Sequence, residues 1–176
     1  MLVDGYNVIF ANSELKKTAA DFLDAARVKL CDALCEFSAL SRYKIIVVFD
    51  AHLVAGGEGC VEQYRNIKVV FTKEAETADR YIERAAYKLV RPRPGFPGKH
   101  DRITVATSDV LEQLIILGSG AGRVSAEDLW EEITLSRKEM RIRYTQSRPI
   151  KKNPIESFLD VETARKLEEM RMGGKK

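Results

Sequence analysis

Apolar positions along this chain follow two different periods, and the two alternate. Short β-branched or apolar runs occur at 1–3, at 44–49 (KIIVVF), at Ile67–Phe71 (IKVVF) and at 103–106 (ITVA), with a weaker fifth at 123–124. Runs of this length and composition predict buried strands. Between them the apolar residues recur at helical spacing. A helix over 18–40 places Phe22, Ala26, Leu30, Leu34 and Phe37 on one stripe. A second is predicted over 77–90, and a third over 109–117, stopped by Gly118, Gly120 and Gly122. A fourth opens at Ser125, with Asp128 at the spacing of a capping box. Strands alternating with helices predict an α/β fold, a three-layer α/β/α sandwich around a mainly parallel sheet. In such sheets ligands bind outside the carboxyl ends of the strands, which is where chemistry is to be sought.

Two connections are longer than usual, 51–66 and 91–102, and long loops in compact domains are candidates for function. From Ile142 the character changes. Pro149 and Pro154, among Arg148, Lys151, Lys152 and Asn153, interrupt regular structure, and a charged helix follows over 160–172. The expected organisation is one domain over 1–145 and a basic extension, with a possible helix, over 146–176. A length of 176 residues suits a single core. The 45% hydrophobic and 31% charged content is that of a water-soluble domain.

No apolar run approaches membrane-spanning length. The N-terminus lacks the basic and apolar regions of a secretory signal. A cytoplasmic location is expected, with no membrane partner. Cys31, Cys35 and Cys60 lack the neighbouring ligands of a zinc site and read as free thiols. The glycines at 56–59 do not have phosphate-cradle spacing, so no dinucleotide cofactor is expected. Net charge is only +3, but it is unevenly spread. Residues 88–102 set Lys88, Arg91, Arg93, Lys99, His100 and Arg102 against Asp101 alone. Residues 137–152 are equally lopsided, with Glu139 the single acid. Clustered positive charge suits a polyanion or a solvated surface.

The acids fall in a different place. Asp4 ends the first strand, Asp50 the second, and Asp109 follows the fourth; Glu76 and Asp79 open the second helix. On a parallel sheet these positions converge on one edge. Each has an ordinary structural use, as a helix N-terminal residue or in an Asx turn. Together they form a cluster of like charges that a hard divalent cation would neutralise. Such a cation can orient a water, lower its pKa and neutralise a phosphoryl group. Asn7 is placed to hold Asp4 or a water, or to cap the next segment. Ser108 is placed to contact phosphate or to cap its helix. His52 and His100 have no partners that would make a catalytic triad.

Four segments resemble one family: LVDGYNVI from Leu2, VVFDAH from Val47, FTKEAETADRYIE from Phe71 and ATSD from Ala106. They are similar, in this order, to the NYN ribonucleases of the PIN-like fold, in the YacP-like branch of bacterial and plastid proteins. The resemblance spans residues 1–143. It implies a Mg²⁺- or Mn²⁺-dependent endoribonuclease acting on single-stranded RNA, with mRNA on the ribosome as the substrate of that branch. It further implies Asp4, Asp79 and Asp109 as catalytic metal ligands, with Asn7, Asp50 and Glu76 in support. Lys73, Arg80, Arg91, Arg93, Lys99 and Ser108 are candidates to contact RNA, and Tyr6, Tyr64 and Phe96 either stack bases or pack locally. Met1 lies only three residues before Asp4, a shorter first strand than the family pattern, so an upstream plastid transit segment is an alternative to a bacterial cytoplasmic origin. Two rivals remain. One is a non-catalytic RNA- or ribosome-binding module on the same fold. The other is a phosphatase of the haloacid-dehalogenase type, disfavoured because Tyr6 stands where its second aspartate is needed.

Overall fold

A computed structural model describes residues 1–50, 59–73, 76–90 and 103–147, together with 162, 163, 165, 166, 169 and 170. Six strands form one sheet: β1 (Leu2–Asp4), β2 (Ile46–Phe49), β3 (Cys60–Tyr64), β4 (Ile67–Phe71), β5 (Thr104–Ala106) and β6 (Gly122–Val124), in the order β3-β4-β2-β1-β5-β6. All neighbours are parallel except β3 and β4, which form an antiparallel hairpin at the edge. Six helices accompany it: α1 (Gly5–Ala11), α2 (Ser13–Asp21), α3 (Leu23–Ser41), α4 (Ala78–Val90), α5 (Val110–Ser119) and α6 (Ala126–Ser147).

Strand side chains alternate between the two faces, and the core divides accordingly. Val3, Val47, Val69 and Ala106 pack with Ile9, Leu30, Leu34, Leu129 and Ile133, so α1, α3 and α6 cover one face. Leu2, Val48, Val70 and Val105 pack with Ala78, Ile82, Ala86 and Ile116, so α4 and α5 cover the other. The expected three-layer α/β/α sandwich with a mainly parallel sheet is the observed one.

Several expected boundaries move. The helix over 18–40 is two helices, because the chain turns extended at Phe22 (φ −145°, ψ 98°). Phe22 accordingly leaves the apolar stripe and is 74% exposed, while Ala26, Leu30, Leu34 and Phe37 are buried as expected. Helix α1 and the part of α2 before Thr18 lie where the pattern of apolar residues gave no helix. Strand β3 lies within the expected 51–66 loop, of which 51–58 is outside the described residues, as is all of 91–102. Helix α6 runs to Ser147, past the expected change of character at Ile142.

The chain divides into two compact units, Met1–Glu139 and Met140–Lys176. The first contains the whole sheet. In the second, the described residues beyond α6 are helical and include an Arg165–Glu169 ion pair (3.5 Å).

Candidate metal centre at the carboxyl end of the sheet

Strand order reverses around β1, whose neighbours are β2 on one side and β5 on the other. That is the switch point at which open α/β sheets bind ligands. Leu2 faces α4 and α5, so Asp4, two residues on, faces them too at the strand's carboxyl end. Asp4 also caps α1. Its Oδ1 accepts from the Asn7 amide (3.0 Å) and its Oδ2 from Asn7 Nδ2 (2.8 Å), so the carboxylate is held at both oxygens. The next residue must be glycine: a Cβ on Gly5 would stand 2.2 Å from Phe49 Cε1.

Helices α4 and α5 bring two further acids to Asp4 from their first turns. Asp79 and Glu112 each offer a carboxylate oxygen, and these two and one from Asp4 lie within 4.8 Å of one another. Asp4 and Glu112 are 4% exposed, whereas Asp79 is open to solvent. Neither Glu112 Oε1 nor Oε2 has a hydrogen-bond partner among the described residues, although both are buried.

The electrostatics follow from that crowding. Burial raises the Asp4 pKa, the two Asn7 hydrogen bonds offset part of the rise, and the charge on Asp79 adds to it. Burial also raises Asp79, helped by the charges of Asp109 and Asp50. Glu112 is pushed up to about 7, first by burial and then by Asp4, Asp79 and Asp109. Thr107 pulls it partly back, without a full hydrogen bond to either oxygen. Buried, unpaired carboxylate oxygens facing other carboxylates suit a hard cation such as Mg²⁺ or Mn²⁺, which takes oxygen ligands.

The remaining candidates are distributed as follows. Asp109 caps α5, its Oδ1 accepting from the amides of Leu111 (2.8 Å) and Glu112 (3.0 Å), and stands as a charge neighbour beside the three-carboxylate group. Asp50 follows β2 on the same side of the sheet and is likewise a charge neighbour of Asp79. Glu76 is engaged by Arg84 in an ion pair. Ser108 donates to Glu127 Oε2 (3.0 Å) and accepts from the Ala126 amide (3.3 Å), tying the β5 end to α6; Asp109, not Ser108, caps the helix that follows. Lys73 and Arg80 are exposed, and Arg80 has no side-chain partner among the described residues. Arg91, Arg93, Lys99 and Phe96 lie outside the described residues.

Tyr6 is buried against Phe49, and its hydroxyl accepts from Arg27 Nε (3.0 Å) and Nη2 (2.8 Å), so it packs rather than stacks on a base. Tyr64 donates to Asp32 Oδ1 (3.0 Å). Glu112 escaped the sequence reading because it lies inside a helix rather than at a strand end. Its signal was the one acid in a helical run that is apolar but for Gln113 beside it, VLEQLIIL.

Comparison with known proteins assigns the family. The family model for the YacP-like NYN domain matches residues 1–172. The chain belongs to that family. It is 43% identical over 145 residues to the uncharacterized protein YacP of Bacillus subtilis (strain 168), covering 81% of each chain. It is similar to the crystal structure of Rae1 (YacP) from Bacillus subtilis, at 37% identity and a TM-score of 0.65, over 98% of this chain and 94% of that one. A point mutant of the same protein matches at 37% identity and a TM-score of 0.67, over 85% and 84%. The NYN assignment accounts for a nuclease-type fold with acids at the carboxyl edge of its sheet. No helix among the described residues is long and apolar enough to cross a membrane.

Proposed function

We propose that this protein is a metal-dependent endoribonuclease that hydrolyses phosphodiester bonds of single-stranded RNA, its substrate being mRNA on the ribosome in a bacterial cytoplasm. The observation that carries the reading is the convergence of Asp4, Asp79 and Glu112, two of them buried, at the switch point of an NYN fold. These three residues hold Mg²⁺ or Mn²⁺. A divalent cation bound there supplies a water of lowered pKa and neutralises charge on a phosphoryl group. Asn7 fixes the Asp4 carboxylate, and Asp109 and Asp50 add negative potential that favours a cation. Glu76 acts at one remove, by positioning Arg84. Lys73 and Arg80 contact RNA phosphates. The products carry 5′-phosphate and 3′-hydroxyl ends.

The Asp4→Asn variant tests this directly. Asparagine is as good a helix N-cap as aspartate, so the fold should survive. Translating ribosomes and naked RNA are incubated with each protein in Mg²⁺ and in EDTA, and the RNA ends are mapped. The expected result is Mg²⁺-dependent cleavage by the wild type and none by Asp4→Asn, which still unfolds cooperatively in EDTA. Full activity in the variant overturns the assignment of Asp4. RNA or ribosome binding without any metal-dependent product identifies a non-catalytic binding module instead.

A further inference from the structure

Helices α4 and α5 both leave the carboxyl edge of the sheet and pack side by side on one face. A groove runs between them, away from the three acids. At the acidic end is a hollow of about 140 Å³ lined by Asp79, Asp109, Leu111 and Glu112. It shares Glu83 and Ile115 with a larger hollow of about 630 Å³, which continues along Arg80, Arg84, Tyr87 and Gly118. The larger volume falls within the range of small-molecule sites. We propose that this groove is a strand subsite: it seats one nucleotide of the RNA adjoining the scissile phosphodiester, with its base against Tyr87 and Ile115 and its phosphate at Arg80. The inference rests on the ribonuclease reading of the acidic site.

The chemistry of the walls favours a nucleotide. Arg80, Glu83, Arg84 and Tyr87 recur at i, i+3, i+4 and i+7, so they form one face of α4. Arg84 is committed to Glu76 and lies over the Tyr81 ring (5.4 Å). Arg80, one residue from Asp79, has no side-chain partner among the described residues, so its charge is available to a phosphate. Tyr87 and Ile115 are each about half exposed and offer the groove apolar surface on which a base can stack. Glu83, where the two hollows meet, repels phosphate and accepts from base amino groups, which sorts base from backbone. A purely apolar partner would leave Arg80 and Glu83 unmatched.

Gly118 sharpens the case. It lies inside α5, where glycine costs helix stability relative to alanine. A Cβ built there meets nothing within 4 Å, so its side of the groove is open space. Filling that space tests the proposal without disturbing the core.

Binding of a fluorescein-labelled, mixed-sequence single-stranded RNA octamer is measured by anisotropy in EDTA for the wild type, Gly118→Trp and Arg80→Gln. Leu135→Trp, on the exposed surface of α6, controls for an added indole. Gly118→Trp should weaken binding by about tenfold, the scale of one lost stacking contact. Arg80→Gln should weaken it less and lower the salt slope by about one. A 4-thiouridine octamer should crosslink to α4 or α5 in the wild type. Equal binding by the wild type and Gly118→Trp overturns the subsite, and so does an octamer that fails to bind the wild type. Unchanged RNA binding with loss of ribosome co-sedimentation also overturns it, marking the groove as a protein contact. Binding and crosslinking as expected, without metal-dependent cleavage, would support the subsite while the ribonuclease reading fails. Cleavage that is insensitive to both variants would do the reverse.

Discussion

Glu112 sits in the first turn of α5 with both carboxylate oxygens buried and without a hydrogen-bond partner among the described residues, facing Asp4 and Asp79. Its pKa of about 7 lies above the ordinary value of 4.5. A carboxyl whose folded pKa is raised stabilises the fold relative to its ionised form below the unfolded pKa, and loses that advantage as pH climbs through the folded one. The wild type should therefore lose stability between about pH 4.5 and pH 7 through this group. A shift of this size corresponds to ~3 kcal/mol, and solvent reaching the open Asp79 side cuts it to on the order of 2 kcal/mol. Glu112→Gln mimics the protonated acid. In metal-free buffer it should melt higher than the wild type at pH 8 by that margin, with no advantage at pH 4. Urea denaturation at the two pH values checks this, and a variant less stable than the wild type at pH 8 would contradict it. The same variant should bind Mn²⁺ more weakly, because a ligand oxygen has lost its charge.

Helix α1 shows how the site depends on elements that cannot stand alone. Seven residues are too few for a stable isolated helix, so its position comes from contacts. Asp4 caps its start, and at the other end Trp130 Nε1 of α6 donates to the Val8 carbonyl (2.8 Å). The second contact fixes the helix that carries Asn7, and hence the orientation of Asp4. Trp130→Phe keeps most of the ring but strands that carbonyl. It should cost about 1–2 kcal/mol in denaturant unfolding and lower the cleavage rate without removing metal dependence; an unchanged midpoint would show that α1 does not lean on α6. Neither α1 nor this contact was legible in the sequence. Residues 5–11 are apolar on most sides, so no helical stripe stands out, and the Trp130 contact spans 122 positions. Strand β3 was hidden for another reason. Four of its five side chains are exposed, and its turn at Arg65–Asn66 puts Arg65 at φ +50°, with no glycine to announce a hairpin. The central strands were readable because both their faces are buried, which leaves unbroken runs such as Ile46–Phe49. Asp4 and Asp79 were readable because strand and helix ends can be located. Glu112 was not, because Asp109, three residues earlier, is the acid that follows the strand end and caps the helix.

At the scale of the whole molecule, folding and the proposed cation binding draw on the same three acids. The sheet brings Asp4 into register with its neighbours, Leu2 beside Ile46 and Val105, and helices from the same face deliver Asp79 and Glu112 to it. The unfolded chain has no such cluster, so a cation that binds it stabilises the folded state by mass action. At a concentration of about 100 Kd the gain is about 2.7 kcal/mol, or roughly 5–10 °C in Tm for a chain of this length. Protons compete with the cation. At pH 8 Glu112 is mostly ionised, whereas at pH 5.5 it must first release a proton, which weakens binding by up to about 30-fold. The same Mn²⁺ concentration should then return about a third of the stabilisation. Thermal melts with Mn²⁺ and with EDTA at the two pH values measure both quantities. A Tm shift that is large at pH 8, small at pH 5.5 and absent in Asp4→Asn ties the metal to this cluster. A shift that is independent of pH, or that survives Asp4→Asn, places the cation elsewhere on the molecule.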